Sequence, residues 1–146
     1  MLNQFFFIEY EIMKLEHVAI WTHQPDVLRD YYVQFFGGKS NAQYFNPVRN
    51  FRSYFISFDS GARLEIMSMP GVPENTNDRV VRQHLGIIHL AFAVNSMKEV
   101  ETKGEELRWA GYPILSGPRK TGDGYYELET LDPDNNRIEV TCVYSE

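Results

Sequence analysis

Two histidines and two glutamates recur in this 146-residue chain at nearly matched spacing. His17 stands in LEHVAI and Glu65 in RLEIM, 48 positions apart; His89 stands in IIHLAF and Glu139 in RIEV, 50 positions apart. One imidazole and one carboxylate per half is the pattern of a duplicated metal-binding module. Two neutral imidazoles with two carboxylates balance a divalent charge, and such donors suit Ni²⁺, Co²⁺, Zn²⁺, Mn²⁺ or Fe²⁺ alike. The set has no thiolate, which excludes a closed cysteine zinc site, and it leaves positions for water or substrate oxygens. An open site of this kind polarises a bound oxygen, while a neighbouring carboxylate moves a proton at the adjacent carbon. The plainer alternative is four polar residues on a solvated sheet face. The matched recurrence in both halves weighs against it.

The elements that must hold these four residues follow the same order twice. In the first half, residues 14–22 are rich in strand formers. A helix is expected over 25–36, with Pro25 in its first turn and Gly37 and Gly38 closing it. Val27, Leu28, Tyr31, Tyr32, Phe35 and Phe36 form its apolar stripe. Residues 39–45 make a weak strand, 51–58 a stronger one, and 63–68 the last, after a turn at Asp59-Ser60-Gly61. In the second half, 86–94 is a strand. Ser96 with Glu99 three residues on is a capping box opening a helix that Gly111 ends. Strands at 112–115, 125–131 and 137–143 follow, the last two joined by Asp132-Pro133-Asp134-Asn135-Asn136, where Asn135 or Asn136 suits a positive φ.

Each half therefore reads βαβββ, with the repeat offset by 72 to 74 residues. The expected organisation is an N-terminal extension at 1–12, a first module at 13–68, a linker holding Pro70, Gly71 and Pro73 at 69–85, and a second module at 86–146, together one domain. Met13 is a second possible start, with the upstream residues either an artefact of the start site or an added edge strand. Side chains alternate across a strand. Leu64 and Ile66 thus oppose Glu65, Ile138 and Val140 oppose Glu139, Val18 and Ile20 oppose His17, and Leu90 and Phe92 oppose His89. The bulky faces belong under the helices and all four candidate ligands on the other side, among the small Ala19, Ala91 and Ala93. The fold class expected is α+β: two modules forming a curled mixed sheet, a cup around a metal-binding cavity.

Composition narrows the partners. A net charge of −6 and a pI near 5.2 argue against a nucleic-acid binder. The apolar patch in residues 1–12 is too short to span a membrane and carries Glu9 and Glu11, unlike a signal peptide. The lone Cys142 reads as a small apolar strand residue in a reducing compartment, so a cytoplasmic protein is expected. Unpaired edges of a half-closed cup favour a homodimer. The cavity is then completed either within one chain or across two.

The paired modules, the motifs LEHVAI, IIHLAF and RLEIM, and above all GPRKTGDGYYELETLDPDNNRIEV resemble the vicinal oxygen chelate superfamily. That group includes glyoxalase I, methylmalonyl-CoA epimerase, extradiol dioxygenases, and the fosfomycin and bleomycin resistance proteins. The resemblance runs over residues 13–144. Relatives usually carry glycine where this chain has Asn135. It implies metal ligands at His17, Glu65, His89 and Glu139, with one divalent ion as cofactor. An acidic residue at position 65 implies the isomerase and lyase branch over the three-ligand oxygenases. It further implies a glyoxalase-like lyase or isomerase acting on a small α-hydroxycarbonyl or thiohemiacetal substrate, with Glu139 or Glu65 shuttling the proton. The alternatives on the same scaffold are an extradiol-type dioxygenase and a non-catalytic small-molecule binding or resistance protein.

Arg52 and Arg119 are the favoured anchors for a substrate carboxylate or phosphate, ahead of Arg49 and Lys120. Trp21, Tyr125 and Tyr126 are possible cavity walls. His23 and His84 lack a counterpart in the other half and read as surface loop residues.

Overall fold

The computed structural model describes residues 13–78 and 80–144. The first module runs β1 (His17–Trp21), α1 (Pro25–Phe36), β2 (Lys39–Ser40), β3 (Tyr44–Asn46), β4 (Phe51–Ser57) and β5 (Arg63–Ser68). The second runs β6 (His89–Ala93), α2 (Met97–Trp109), β7 (Ile114–Lys120), β8 (Tyr125–Leu131) and β9 (Arg137–Val143). The class is α+β. One sheet is ordered β1-β5-β4-β2, with β3 also on β4, and the other β6-β9-β8-β7; neither closes into a barrel. In each, the first strand lies parallel to the last and the remaining pairings are antiparallel. The added edge strand considered for residues 1–12 falls outside the described residues.

Local chemistry explains both helices. Pro25 opens α1, where a missing N–H breaks no helical bond, and Gly37 at φ 67 closes it in the left-handed region that glycine takes without penalty. In α2 the Ser96 hydroxyl accepts from the Glu99 N–H at 3.2 Å, and the Glu99 carboxylate accepts from the Asn95 N–H at 3.1 Å. No helix among the described residues is long and apolar enough to cross a membrane.

The helix-facing sides of both sheets share a core. Leu28, Tyr31, Tyr32 and Phe35 of α1 pack with Ile56, Leu64 and Ile66 of their own sheet and with Leu107 and Ile138 of the other module. Each such side chain, fully buried, contributes about 1.5–3 kcal/mol. Val100, Leu128, Val140 and Cys142 fill a second cluster under α2. Polar contacts tie the modules as well. The Tyr32 hydroxyl donates to Asp132 at 2.9 Å, and Asp132 also accepts the N–H groups of Asp134 and Asn136, at 2.9 and 2.8 Å. Asn135 takes φ 61 in this turn.

Several element bounds differ from expectation. β1 is shorter than 14–22 and β6 shorter than 86–94. The weak strand at 39–45 divides into β2 and β3. β7 extends to Lys120 instead of stopping at 115, because Gly117, at φ 81, bends the strand through register shifts on either side of Ser116 rather than ending it.

Candidate metal centre

The two His–Glu pairs are built by equivalent ladders. Parallel pairing of β1 with β5 sets Ala19 beside Glu65 and His17 beside Arg63; pairing of β6 with β9 sets Ala91 beside Glu139 and His89 beside Arg137. The outcome is the same distance twice: His17 Nε2 to Glu65 Oε2 is 3.7 Å, and His89 Nε2 to Glu139 Oε2 is 3.7 Å. That is too long for a good hydrogen bond. It lies between the separations of about 3.0 Å for neighbouring donors and about 4.2 Å for opposite donors that bonds of about 2.1 Å to one cation would give. Either pair could thus share an ion after a small side-chain adjustment. Both glutamates are largely buried, with side chains 17% and 14% exposed, while the imidazoles are open to solvent on one side. The donor chemistry therefore fits a divalent ion.

The surroundings of the pairs differ. Next to His17, the Glu16 carboxylate holds Nδ1 and also meets Arg63, leaving Nε2 toward Glu65. The bond from His17, aided by Arg63, holds the Glu16 carboxyl below its ordinary value. His17 also packs edge-on against Phe55, with ring centres 5.5 Å apart. In the second module Glu129 stands cross-strand from Glu139. One donor atom from each of His89, Glu129 and Glu139 lies within 4.8 Å of the others. Arg137, itself 5% exposed, reaches Glu129 at 3.6 Å, and Arg119 pairs with Glu127 at 2.8 Å. Burial foremost, then the charge of Glu127 and less strongly Glu129, raises the Glu139 carboxyl above its ordinary value against the pull of His89 and Arg119.

Among the described residues, the group of three or more candidate donors contains His89, Glu129 and Glu139 and no residue of the first module. The structure thus assembles each His–Glu pair but does not gather all four residues into one cluster within the chain. Glu129 was not singled out in the sequence because its counterpart is Phe55, so a search for residues repeated in both halves passes over it. Strand alternation in YYELETL, which puts Glu127 and Glu129 on one face, was the available signal.

The other candidates divide by strand parity. Arg52 shares the helix-facing side of β4 with the buried Tyr54 and Ile56, opposite the face of Glu65. It lies over the Phe45 ring at 5.7 Å and lines a hollow of about 400 Å³ at the start of α1. Arg119 does reach the donor face, where it is held by Glu127 and by the Ser116 hydroxyl at 3.1 Å. Trp21 and Tyr125 lie on the donor side of their strands, while Tyr126 turns away and donates to Glu101 at 3.2 Å. His23 pairs with Glu74 at 3.2 Å, and His84 meets the Leu85 carbonyl. A cleft of about 970 Å³ opens beside the centre, lined from β1 by Val18 and Trp21, from β6 by His89 and Leu90, and by Asn136 and Arg137. It has room for a small organic molecule.

Duplicate βαβββ modules with a His–Glu pair on each donor face define the class of α+β scaffold to which this candidate centre belongs. Residues 14–140 match the Glyoxalase/Bleomycin resistance protein/Dioxygenase superfamily, and the chain belongs to that superfamily. It is 34% identical over 64 residues to the uncharacterized protein YqjT of Bacillus subtilis (strain 168), a stretch covering 42% of this chain and 50% of that relative. The fold is similar to a glyoxylase/bleomycin resistance protein/dioxygenase domain from Frankia sp. EAN1pec, with TM-score 0.74, 18% identity, and 92% and 100% of the two chains covered. It is also similar to glyoxalase I of Leishmania major, with TM-score 0.68, 20% identity, and 88% and 86% covered. Lactoylglutathione lyase of Agrobacterium tumefaciens aligns with TM-score 0.64, 17% identity, and 91% and 96% covered.

Proposed function

We propose that this chain is a metal-dependent lyase or isomerase that moves a proton between adjacent carbons of a small α-hydroxycarbonyl or thiohemiacetal-like substrate. His17, Glu65, His89 and Glu139 are its ligands for one divalent ion. The observation that carries the reading is the recurrence of one His–Glu pair, at one separation, on the same position of two equivalent ladders. A bound ion supplies Lewis-acid polarisation of the two neighbouring substrate oxygens. The protein does the rest. Glu139 or Glu65 takes the proton from one carbon and returns it to the next, a role worth about 10²–10⁴-fold. The small side chains of Ala19, Ala91 and Ala93 leave space over the donor face, and the cleft beside His89 admits the remainder of the substrate. Arg119 marks the edge where an anionic group of the substrate is received.

The two half-sites are completed by a second copy of the chain or by closure of the modules, and we favour a homodimer because β1 and β6 each end their sheet as an edge strand. The buried free thiol of Cys142 fits a reducing compartment, so we place the activity in the cytoplasm.

The test is addition of methylglyoxal and glutathione to protein loaded separately with Ni²⁺, Co²⁺, Zn²⁺, Mn²⁺ and Fe²⁺, following thioester absorbance. Turnover with at least one metal, lost in Glu139→Gln, is the expected result. Silence with all of them removes the glyoxalase assignment. Oxygen uptake with catechols on the Fe²⁺ form would then identify the oxygenase alternative.

A further inference from the structure

The two donor faces differ in the row of side chains next to Glu65 and Glu139. Pairing of β1, β5, β4 and β3 sets Trp21, Met67, Ser53 and Tyr44 side by side on the first face. This row lies two residues along the strands from Ala19, Glu65 and Phe55, a step of about 7 Å. The equivalent row of the second face, across β6, β9, β8 and β7, is Ala93, Thr141, Glu127 and Arg119. One module thus carries an indole, a thioether and a phenol where the other carries a methyl, a hydroxyl and an ion pair of 2.8 Å.

Exposure and ring geometry separate the aromatic row from ordinary core. Trp21 is 43% exposed and Tyr44 54% exposed, on the face that holds His17 and Glu65. Phe51, two residues beyond Ser53 on that face, lies with its ring centre 6.0 Å from that of Trp21 and 6.1 Å from that of Tyr44. Both exposed rings are therefore braced from one side and open on the other. Trp21 also lines the cleft of about 970 Å³ that reaches His89. We propose that Trp21, Met67 and Tyr44 form a subsite for a flat apolar ring carried by the substrate, whose chelating oxygens lie one row away at Glu65. The substrate class is then an aryl α-hydroxycarbonyl rather than a methyl-substituted one. This rests on the reading above that places the substrate on the donor face. Aromatic rings favour offset or edge-on neighbours, and a thioether adapts to a ring laid against it. The second module cannot serve in the same way. Ala93 and Thr141 offer little apolar area, and a ring over Glu127 and Arg119 would take their charges out of water.

The experiment uses the full chain, Ni²⁺-loaded and chelator-treated in parallel, carrying Trp109→Phe so that Trp21 is the remaining tryptophan. Mandelate and lactate are the probes: both present α-hydroxycarboxylate oxygens, and they differ by a phenyl ring in place of a methyl group. Calorimetry gives each Kd, and Trp21 emission reports contact with the ring. Mandelate is expected to bind the Ni²⁺ form at least about tenfold tighter than lactate, with an emission change that lactate does not produce. Trp21→Leu should cut that preference to within about threefold, while Trp21→Phe keeps most of it. Circular dichroism confirms each fold, and Tyr44→Ala serves as the second variant should Trp21→Leu not fold. Equal affinity of the two probes overturns this inference and leaves the metal reading standing. So does a preference unchanged in both Trp21→Leu and Tyr44→Ala. A parent that binds no Ni²⁺ yet shows the emission change with mandelate alone keeps the subsite and overturns the four-ligand reading. Binding of neither probe overturns the inference as well, and a shift from dimer to monomer in Trp21→Leu would then identify the row as a face between copies.

Discussion

The phenol of Tyr32, in the first helix, donates a 2.9 Å hydrogen bond to Asp132, in the last turn of the second module. Both residues are buried, Tyr32 fully and Asp132 at 2% exposure. This bond links the element that braces the first sheet to the turn from which the Glu139 strand departs. It sets the two half-sites in relation to each other without touching either.

Tyr32→Phe keeps the ring and deletes the donor. Asp132 retains its bonds from Asp134 and Asn136, so the loss is that of one hydrogen bond to a charged group, about 1–3 kcal/mol. The melting temperature should fall by about 2–4 °C for each kcal/mol. Tyr31→Phe removes only a 3.4 Å contact to the Leu131 carbonyl and should cost less. Equal losses in the two variants would contradict the assignment of the lock to Tyr32.

Alkaline pH should unfold the protein through the same cluster. Burial foremost, then the charge of Asp132, pushes the Tyr31 and Tyr32 hydroxyls well above their ordinary 10.0. Once pH passes 10.0 the unfolded chain releases protons that the folded chain keeps, so stability is full below that value and falls above it. The slope is about 1.4 kcal/mol per pH unit for each such tyrosine. Urea midpoints measured from pH 9 to 11.5 should decline more gently in Tyr32→Phe than in the parent.

Much of this arrangement was legible in the sequence, for identifiable reasons. Pro25 and Gly37 punctuate α1 so strongly that its span can be read directly, and alternation in RLEIM and RIEV separates the candidate donors Glu65 and Glu139 from the core residues beside them. β7 was cut short because Gly117-Pro118 looks like a strand end, whereas the chain carries it as a bulge on the outermost strand of its sheet. Arg52 is a natural anchor by charge and by its place at a strand, yet strand parity sets it on the helix side with Tyr54. Glu129 was missed because it breaks the repeat. How the two donor pairs stand toward each other depends on packing around Tyr31, Tyr32 and Phe92, contacts far apart in the chain that no local pattern encodes.

Gly117→Ala should be among the costlier single substitutions. The backbone there has φ 81, and an added Cβ would lie 2.4 Å from the Glu127 carbonyl oxygen and 3.0 Å from the Leu128 Cα. Both obstacles are backbone of the neighbouring strand, so β8 itself would have to move. A loss of about 2 kcal/mol or more is expected from strain and overpacking together. Because β8 carries Glu127 and Glu129, the variant should also bind Mn²⁺ more weakly than its stability loss alone accounts for, measured well below its unfolding midpoint.

Metal should stabilise the fold in a way that reports which residues hold it. An ion that binds only the folded state adds about 2.7 kcal/mol at one hundred times its Kd, which raises the melting temperature by about 2–4 °C per kcal/mol. Chelator should reverse the rise. His17→Ala and His89→Ala each remove one imidazole of the four-residue centre, so each should take away most of the rise with every divalent ion tried. A rise that survives His89→Ala at full size would place the ion elsewhere on the molecule and remove that centre.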